Sequence, residues 1–404
     1  MKTINSVVRW WVTPKLPPED IFAAHNFISQ WLVHPVKRRL ARWYLRLLQK
    51  YRAIKVIGVT GSTGKTTTTE MLGQILSTHG KTVWSREGVD PVYNIPNTIL
   101  RVSWGTKYLI LEMSVEYFNE MDYYLWLAKP DVGIVTNIAT THTEFLKNLE
   151  GIASEKGKLI RSLPAEGTAV LNIEDANVKA LAKLADAKVC WYGRGSNIYA
   201  KEVSLNKNLS TSFTLVNRSD KKSVHINAFG KQFVANAVAA SAAAVSLGLD
   251  LESIARGVER FRLCKHRLNI IVSRKYGTIL DDTYNSNPKA AGESLATFNS
   301  LAGAKTKIAI IGDMLELGRF EEPSHRELGK KIGIMNFDYL VGVGDASKFV
   351  VEEAAKVMGP DKCFLTAKES EALPIVMPLL NKNSVLFVKG SRSIHLDKLV
   401  DSLI

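Results

Sequence analysis

The chain has 404 residues, 46% hydrophobic and 23% charged, which suits a globular protein with real cores and room for two or three domains. Its three cysteines, Cys190, Cys264 and Cys363, lie far apart with no Cys-x-x-Cys pair, which excludes a zinc knuckle and a disulfide framework and fits a reducing cytoplasm. The formal charge of +14 points to an anionic partner (nucleotide, nucleic acid or membrane surface), while no apolar run is long enough to span a bilayer and no signal peptide is present.

Residues 1–52 hold ten Lys/Arg against Glu19 and Asp20, so ten minus two gives +8 of the excess. Four of the eight tryptophans are here: Trp10, Trp11, Trp31 and Trp43. A helix is predicted from Pro35 onward. Val36, Leu40, Trp43, Leu47 and Tyr51 fall on one face, and Arg38, Arg42, Arg46 and Lys50 on the other. The simpler reading packs the apolar face on the next domain and leaves the basic face in water. The alternative is peripheral contact with an anionic membrane, since Trp and Arg around an amphipathic helix suit that interface.

A β-branched strand, Ile54–Val59, then runs into Thr60-Gly61-Ser62-Thr63-Gly64-Lys65-Thr66-Thr67 and a helix reaching His79. Glycines at 61 and 64 let backbone N–H groups close around phosphate oxygens. Lys65 can reach the outer phosphates, and the Thr66 hydroxyl can ligate Mg²⁺. The strict P-loop pattern is not met, because Val59 stands at its first glycine.

Strands follow at Lys81–Trp84, Lys107–Met113 and Asp131–Asn137, with a turn into a helix over Tyr93–Arg101 between the first two. Ligands of open α/β sheets sit beyond the carboxyl ends of strands, so Glu112 and Asn137 are expected to face the phosphate loop, with Glu112 on Mg²⁺. His142, in the loop just after, is expected to line the same site. On composition alone Lys156, in the helical stretch Leu149–Ile160, is a solvated lysine. Residues 197–229 alternate as antiparallel strands, and an Ala-rich helix follows Gly230. Farther on, strands at 306–311, 338–343, 361–365 and 384–388 alternate with helices as a small Rossmann-like sheet. It has no Gly-x-Gly-x-x-Gly fingerprint, so no NAD is expected.

Several of these stretches together resemble the Mur ligases, ATP-dependent amide ligases that include folylpolyglutamate synthase. The loop Thr-Gly-Ser-Thr-Gly-Lys-Thr at 60–66 has the family's form. So do Asn94-Ile-Pro-Asn-Thr-Ile-Leu100, Glu112-Met-Ser, Lys129–Ile138 with His142, Ile152-Ala-Ser-Glu-Lys156-Gly, Ala169–Asp175 and Gly230–Ala240. In the last of these Asn236 is kept, while Gln232-Phe233 stand where the family has His-Asn. Arg267, the octet Asp281-Asp282-Thr-Tyr-Asn285-Ser-Asn287-Pro288, Lys307–Gly318 with His325, and Val385–Arg392 are also similar.

The resemblance spans residues 54–404 and implies an α/β fold. A central P-loop-type ATPase domain with a mostly parallel sheet (53–264) precedes a smaller C-terminal Rossmann-like α/β domain (265–404), with residues 1–52 as a short helical segment. It implies a peptide ligase of peptidoglycan precursor synthesis, adding D-alanyl-D-alanine to UDP-N-acetylmuramoyl-tripeptide through an acyl phosphate. ATP and two Mg²⁺ ions are implied as cofactors, and small peptides and sugar-peptides as partners. The catalytic set is Lys65, Glu112, His142 and Lys156, the last carbamylated, and the metal set is Thr66, Glu112, His142 and Lys156. Thr60, Gly61, Ser62, Thr63, Gly64, Lys65, Thr66, Thr67, Asn137, Asn236, Arg267 and Asp282 are expected on ATP. Asn285, Asn287, Asp313, Lys389 and Arg392 are expected on substrate. The family's amino-terminal UDP-sugar-binding domain has no counterpart in residues 1–52. A different or lipid-linked carboxylate acceptor is therefore the first alternative, and a membrane-associated ATP-binding switch or adaptor the second. Nucleic acid is not expected, because no such module is present and the charge excess is local. The enzyme is expected in the cytoplasm, with peripheral membrane contact at its inner face as the alternative.

Overall fold

A computed structural model describes Trp11 and residues 28–404. Trp10, Glu19 and Asp20 lie outside the described residues. Two sheets carry the architecture. The first has nine strands in the order β2-β3-β1-β4-β5-β6-β7-β8-β9. They are β1 (Lys55–Thr60), β2 (Thr82–Trp84), β3 (Tyr108–Glu112), β4 (Val132–Val135), β5 (Thr168–Asn172), β6 (Lys188–Tyr192), β7 (Ile198–Leu205), β8 (Thr211–Asn217) and β9 (Asp220–Ile226). Strands β1 to β6 pair in parallel, and β7–β9 form the antiparallel extension expected at 197–229. Strand β6 was not expected; its Lys188-Val-Cys-Trp-Tyr is short and half-buried.

The parallel strands are buried on both faces, so they read as continuous apolar runs. Along β1, Val56 packs on one side while Ile57 and Val59 pack on the other. On the first side lie α1 (His34–Tyr51), α3 (Pro91–Leu100), α4 (Glu120–Leu127) and α5 (Leu149–Arg161). On the second lie α2 (Lys65–Ser77) and the Ala-rich α6 (Lys231–Ser246), whose small side chains let it pack closely on α2.

Helix α1 corrects an expectation. It docks through Arg38, Ala41, Leu45 and Leu48, all buried, while Val36, Leu40, Trp43 and Tyr51 face outward. The arginines are held by polar and aromatic partners that the sequence pattern does not show. Arg42 donates from Nε to the Trp126 carbonyl at 2.8 Å and lies over the Trp126 ring, and Arg38 lies over the Tyr123 ring. Their stems and planar heads pack where aliphatic chains were expected.

The second sheet has six strands in the order β10-β11-β15-β12-β13-β14. They are β10 (Asn269–Ser273), β11 (Gly277–Asp282), β12 (Thr306–Gly312), β13 (Tyr339–Val343), β14 (Cys363–Thr366) and β15 (Ser384–Lys389). All pairs but β10–β11 are parallel. Helices α7 (Pro288–Ala302), α8 (Glu321–Ile334) and α9 (Ser347–Met358) belong to this half. No described helix is long and apolar enough to cross a membrane.

Candidate active site

The carboxyl ends of the two sheets border one cleft of about 480 Å³. At its floor β1 ends between β3 and β4, with Val59 level with Glu112 and Thr60 level with Val135. The connection after β1 leads to β2 on one side and the connection after β3 crosses to β4 on the other, which opens a crevice at the end of β1. The loop 61–64 fills it. Gly61 (φ 148°) and Gly64 (φ 78°) hold positive φ, and a Cβ would meet Thr136 Oγ1 at 1.9 Å or Asn236 Oδ1 at 2.2 Å respectively. No side chain fits at either glycine.

Asn137 fixes this loop rather than reaching past it. Its carbonyl accepts from Ser62 N, its Oδ1 from Thr63 N, and its Nδ2 donates to Thr63 O and Oγ1. The Thr60 hydroxyl donates to the Met113 carbonyl, away from the cleft. The first intrahelical bond of α2 runs from Thr68 N to Gly64 O. The N–H groups of Lys65, Thr66 and Thr67 therefore face the open helix end, where an anion is stabilised. Lys65 stands beside them, its pKa lowered by burial, with Glu112 pulling it up and Arg267 pushing it down.

Around the loop the expected polar groups converge. The Thr66 hydroxyl donates to Glu112 Oε1 at 3.1 Å. Arg267 donates to Thr66 Oγ1 at 3.2 Å and to Glu87 at 2.8 Å, with its guanidinium 3.7 Å from the centre of the Tyr284 ring. Asn236 touches Gly64 and accepts from the Thr68 hydroxyl at 3.4 Å. Across the cleft Asp282 accepts from Leu268 N, the Ser294 hydroxyl and Lys389 Nζ, the last at 2.5 Å. His142 reaches the other half of the molecule, its Nδ1 2.5 Å from Glu316 Oε2.

The cleft takes in Ser62 to Thr67, Glu112, Asn137, His142, Asn236, Arg267, Asp282, Asn285, Asn287, Lys389 and Arg392. It does not take in Thr60, Gly61, Lys156 or Asp313. Asp313 corrects an expectation: its Oδ1 accepts from both N and Oγ of Ser347 at 2.7 Å, so it holds the start of α9 and does not face substrate. Lys156 corrects another. It is 1% exposed, not solvated, and lies among Glu116, Glu120 and Glu155. Burial first, then Lys65, brings its pKa from 10.5 to about 7 against those carboxylates. The ammonium of Lys389, bonded to Asp282 and to the Asn285 carbonyl, is engaged within the protein.

Several lining residues had no role assigned from the sequence: Glu87 and Glu293 lie outside the quoted motifs, and Gln232 and Tyr284 lie inside them. Glu87 was open to the strand-end rule, since it follows β2 by three residues. Thr66 and Glu112 offer adjacent oxygen donors, which suit a hard cation such as Mg²⁺. Among the described residues no three His, Cys, Asp or Glu side chains converge as a metal cage.

Residues 59–244 match the Mur ligase middle domain, and residues 266–392 match the Mur ligase, glutamate ligase domain. The UDP-N-acetylmuramoyl-tripeptide–D-alanyl-D-alanine ligase of Bacillus subtilis is 30% identical over 367 residues, covering 91% of this chain and 79% of that protein. The ligase of the same name from Haemophilus influenzae is 29% identical over 401 residues, covering 96% and 82%. A crystal structure of MurF from Acinetobacter baumannii superposes with a TM-score of 0.82 at 29% identity, covering 92% of this chain and 80% of that one. MurF from Thermotoga maritima in complex with ADP shares the fold, with a TM-score of 0.78 at 22% identity and coverage of 91% and 82%. With two consecutive domain matches and a 30% identical relative aligned along most of both chains, this chain belongs to the Mur ligase family.

Proposed function

We propose that this protein is the ATP-dependent peptide ligase that joins D-alanyl-D-alanine to UDP-N-acetylmuramoyl-tripeptide in peptidoglycan precursor synthesis. The observation that supports it best is the convergence of Lys65, Thr66, Glu112 and Arg267 on one cleft between the two sheets, in a chain of this family.

The chemistry follows from what these groups can do. A carboxylate is too poor an electrophile for an amine, so it must first be activated. The acceptor carboxylate oxygen attacks the γ-phosphorus of ATP, the bond to the β–γ bridging oxygen breaks, and ADP leaves. The amine nitrogen then attacks the acyl carbon, phosphate departs with its oxygen, and the amine loses a proton. Lys65, Arg267 and the N–H groups of 65–67 stabilise charge that spreads over the transferring phosphoryl oxygens. Thr66 and Glu112 would hold Mg²⁺, which supplies screening of phosphate charge. A second ion would draw on His142 and on Lys156 as a carbamate, formed when the neutral amine adds CO₂ and releases a proton. Asn236, Arg267 and Asp282 are assigned to the nucleotide, and Asn285, Asn287 and Arg392 to substrate. Lys389 positions Asp282 and the 285 loop. The assigned domains are 53–264 and 265–404, and domain closure over the cleft would exclude water from the acyl phosphate.

The enzyme would work in the cytoplasm, with the amino-terminal segment in peripheral contact with the inner face of the membrane. The deciding experiment is an ATP-consumption assay with product mass measured. Phosphate release should require both the UDP-linked tripeptide and the dipeptide. Release with neither would favour a switch, and release only with a lipid-linked tripeptide would move the acceptor.

A further inference from the structure

The docking of α1 through Arg38, Ala41, Leu45 and Leu48 leaves an apolar stripe facing away from the protein. Leu32, Val33, Val36, Leu40, Trp43 and Tyr51 are 56, 51, 54, 50, 61 and 59% exposed. Their spacing of mostly three or four residues puts them on one face, and α1 alone is about 27 Å long at 1.5 Å per residue. Scattered exposed apolar residues are normal, but a continuous row of this length marks a contact surface.

Charge selects what covers it. Residues 28–52 contain seven Lys/Arg and no Asp or Glu. At about 100° per residue, Lys37 falls on one edge of the stripe and Arg46 and Lys50 on the other. Arg46 and Lys50 are exposed. A second copy of this face would bring like charges together along the whole row. An anionic lipid surface satisfies both features at once: acyl chains for the row, phosphates for its edges. Trp43 and Tyr51 are the aromatic types that settle at the headgroup level. The helix is too polar overall to span a bilayer, so it lies in the surface.

We infer that this stripe is a membrane-docking face, on which α1 lies along an anionic bilayer with Val36, Leu40, Trp43 and Tyr51 at the acyl boundary and Lys37, Arg46 and Lys50 on lipid phosphates. The inference deepens the peripheral membrane contact proposed above and is independent of the ligase reading. Its consequence is positional. Helix α1 packs on α3, whose Pro91 and Asn94 line the cleft, so the docked face is one helix away from the site.

The test is co-sedimentation of the full chain with vesicles of phosphatidylcholine alone or of equal parts phosphatidylcholine and phosphatidylglycerol. Binding should require phosphatidylglycerol and weaken as salt rises. The double variant Leu40→Glu/Trp43→Glu should bind at least about tenfold more weakly, and Val36→Glu should weaken binding by an independent residue. Failure of the full chain to sediment with the mixed vesicles overturns the inference, and so does a double variant that binds as well as the parent. A dimer in solution that the double variant converts to monomer also overturns it, because a second copy then occupies the row. Turnover on the soluble UDP-linked tripeptide is measured in parallel. Vesicle binding and turnover can fail separately, so the two readings stand or fall apart.

Discussion

The phosphate loop and the amino-terminal helix are both plain in the sequence, yet only one of them folds as its pattern implies. The loop is specified locally. Two glycines, a lysine and a threonine within six residues favour a strand-to-helix turn with open N–H groups, which Asn137 then holds. The helix is specified locally only as a helix. Which face turns inward depends on the surface it meets, and that surface offers the Trp126 carbonyl and the Tyr123 and Trp126 rings. Guanidinium groups match such a surface better than leucines do. A motif that carries its own geometry transfers from sequence to structure, and a pattern that needs a partner does not.

The largest effect should fall on the local side of this contrast. Lys65→Ala and Glu112→Ala are each expected to abolish measurable amide formation, a loss of at least about 10²–10³-fold in kcat, with the fold unchanged by circular dichroism. Both side chains face the cleft, and Asn137 holds the loop through bonds to Thr63, to which Lys65 adds one long bond from Nζ to the Ser62 carbonyl at 3.4 Å. Near-normal turnover in either variant would separate the loop's shape from its chemistry and break the comparison at its stronger end.

Most of the site was legible because its residues end strands or open helices, where side chains are aimed by backbone direction alone. Thr66 and Glu112 are of this kind and Asn137 follows β4 by two residues, while Asp282 ends β11 but was read only through the family resemblance. What stayed hidden depends on contacts between distant segments. Asp313 directly follows β12 much as Glu112 ends β3, but Ser347 takes its carboxylate. Glu87 matters through Arg267, 180 residues away. The sheets were legible in part as buried apolar runs, while β5, β6, β10 and β11 were not read as strands, β6 being short and mixed.

Lys156 sits between these cases, since its helix was expected and its burial was not. Its folded-state pKa of about 7 lies below the ordinary 10.5, so between those values the unfolded chain binds a proton that the folded chain does not. Stability should therefore rise with pH through that window, and the burial penalty should be complete below about pH 7. In CO₂-depleted buffer Lys156→Met should be more stable than the parent near pH 6, by on the order of a few kcal/mol, with the gap closing toward pH 10. Urea melts at several pH values measure it. A gap that does not change with pH would mean that burial does not discharge this lysine.

Smaller effects test the inverted helix directly. Arg42→Ala removes a charge-assisted bond to the Trp126 carbonyl and the stacking on its ring, and should cost about 1–2 kcal/mol in urea melts. Leu40→Ser should stay within about 0.5 kcal/mol, because Leu40 is 50% exposed and loses little contact on truncation. By the amphipathic pattern the order would be reversed: the leucine would anchor the helix and the arginine would be idle in water. The pair of measurements therefore reads the helix orientation without a structure. An Arg42 effect near zero beside a Leu40 loss of 2 kcal/mol or more, about the least that a buried leucine costs, would turn the helix over and take the outward stripe with it.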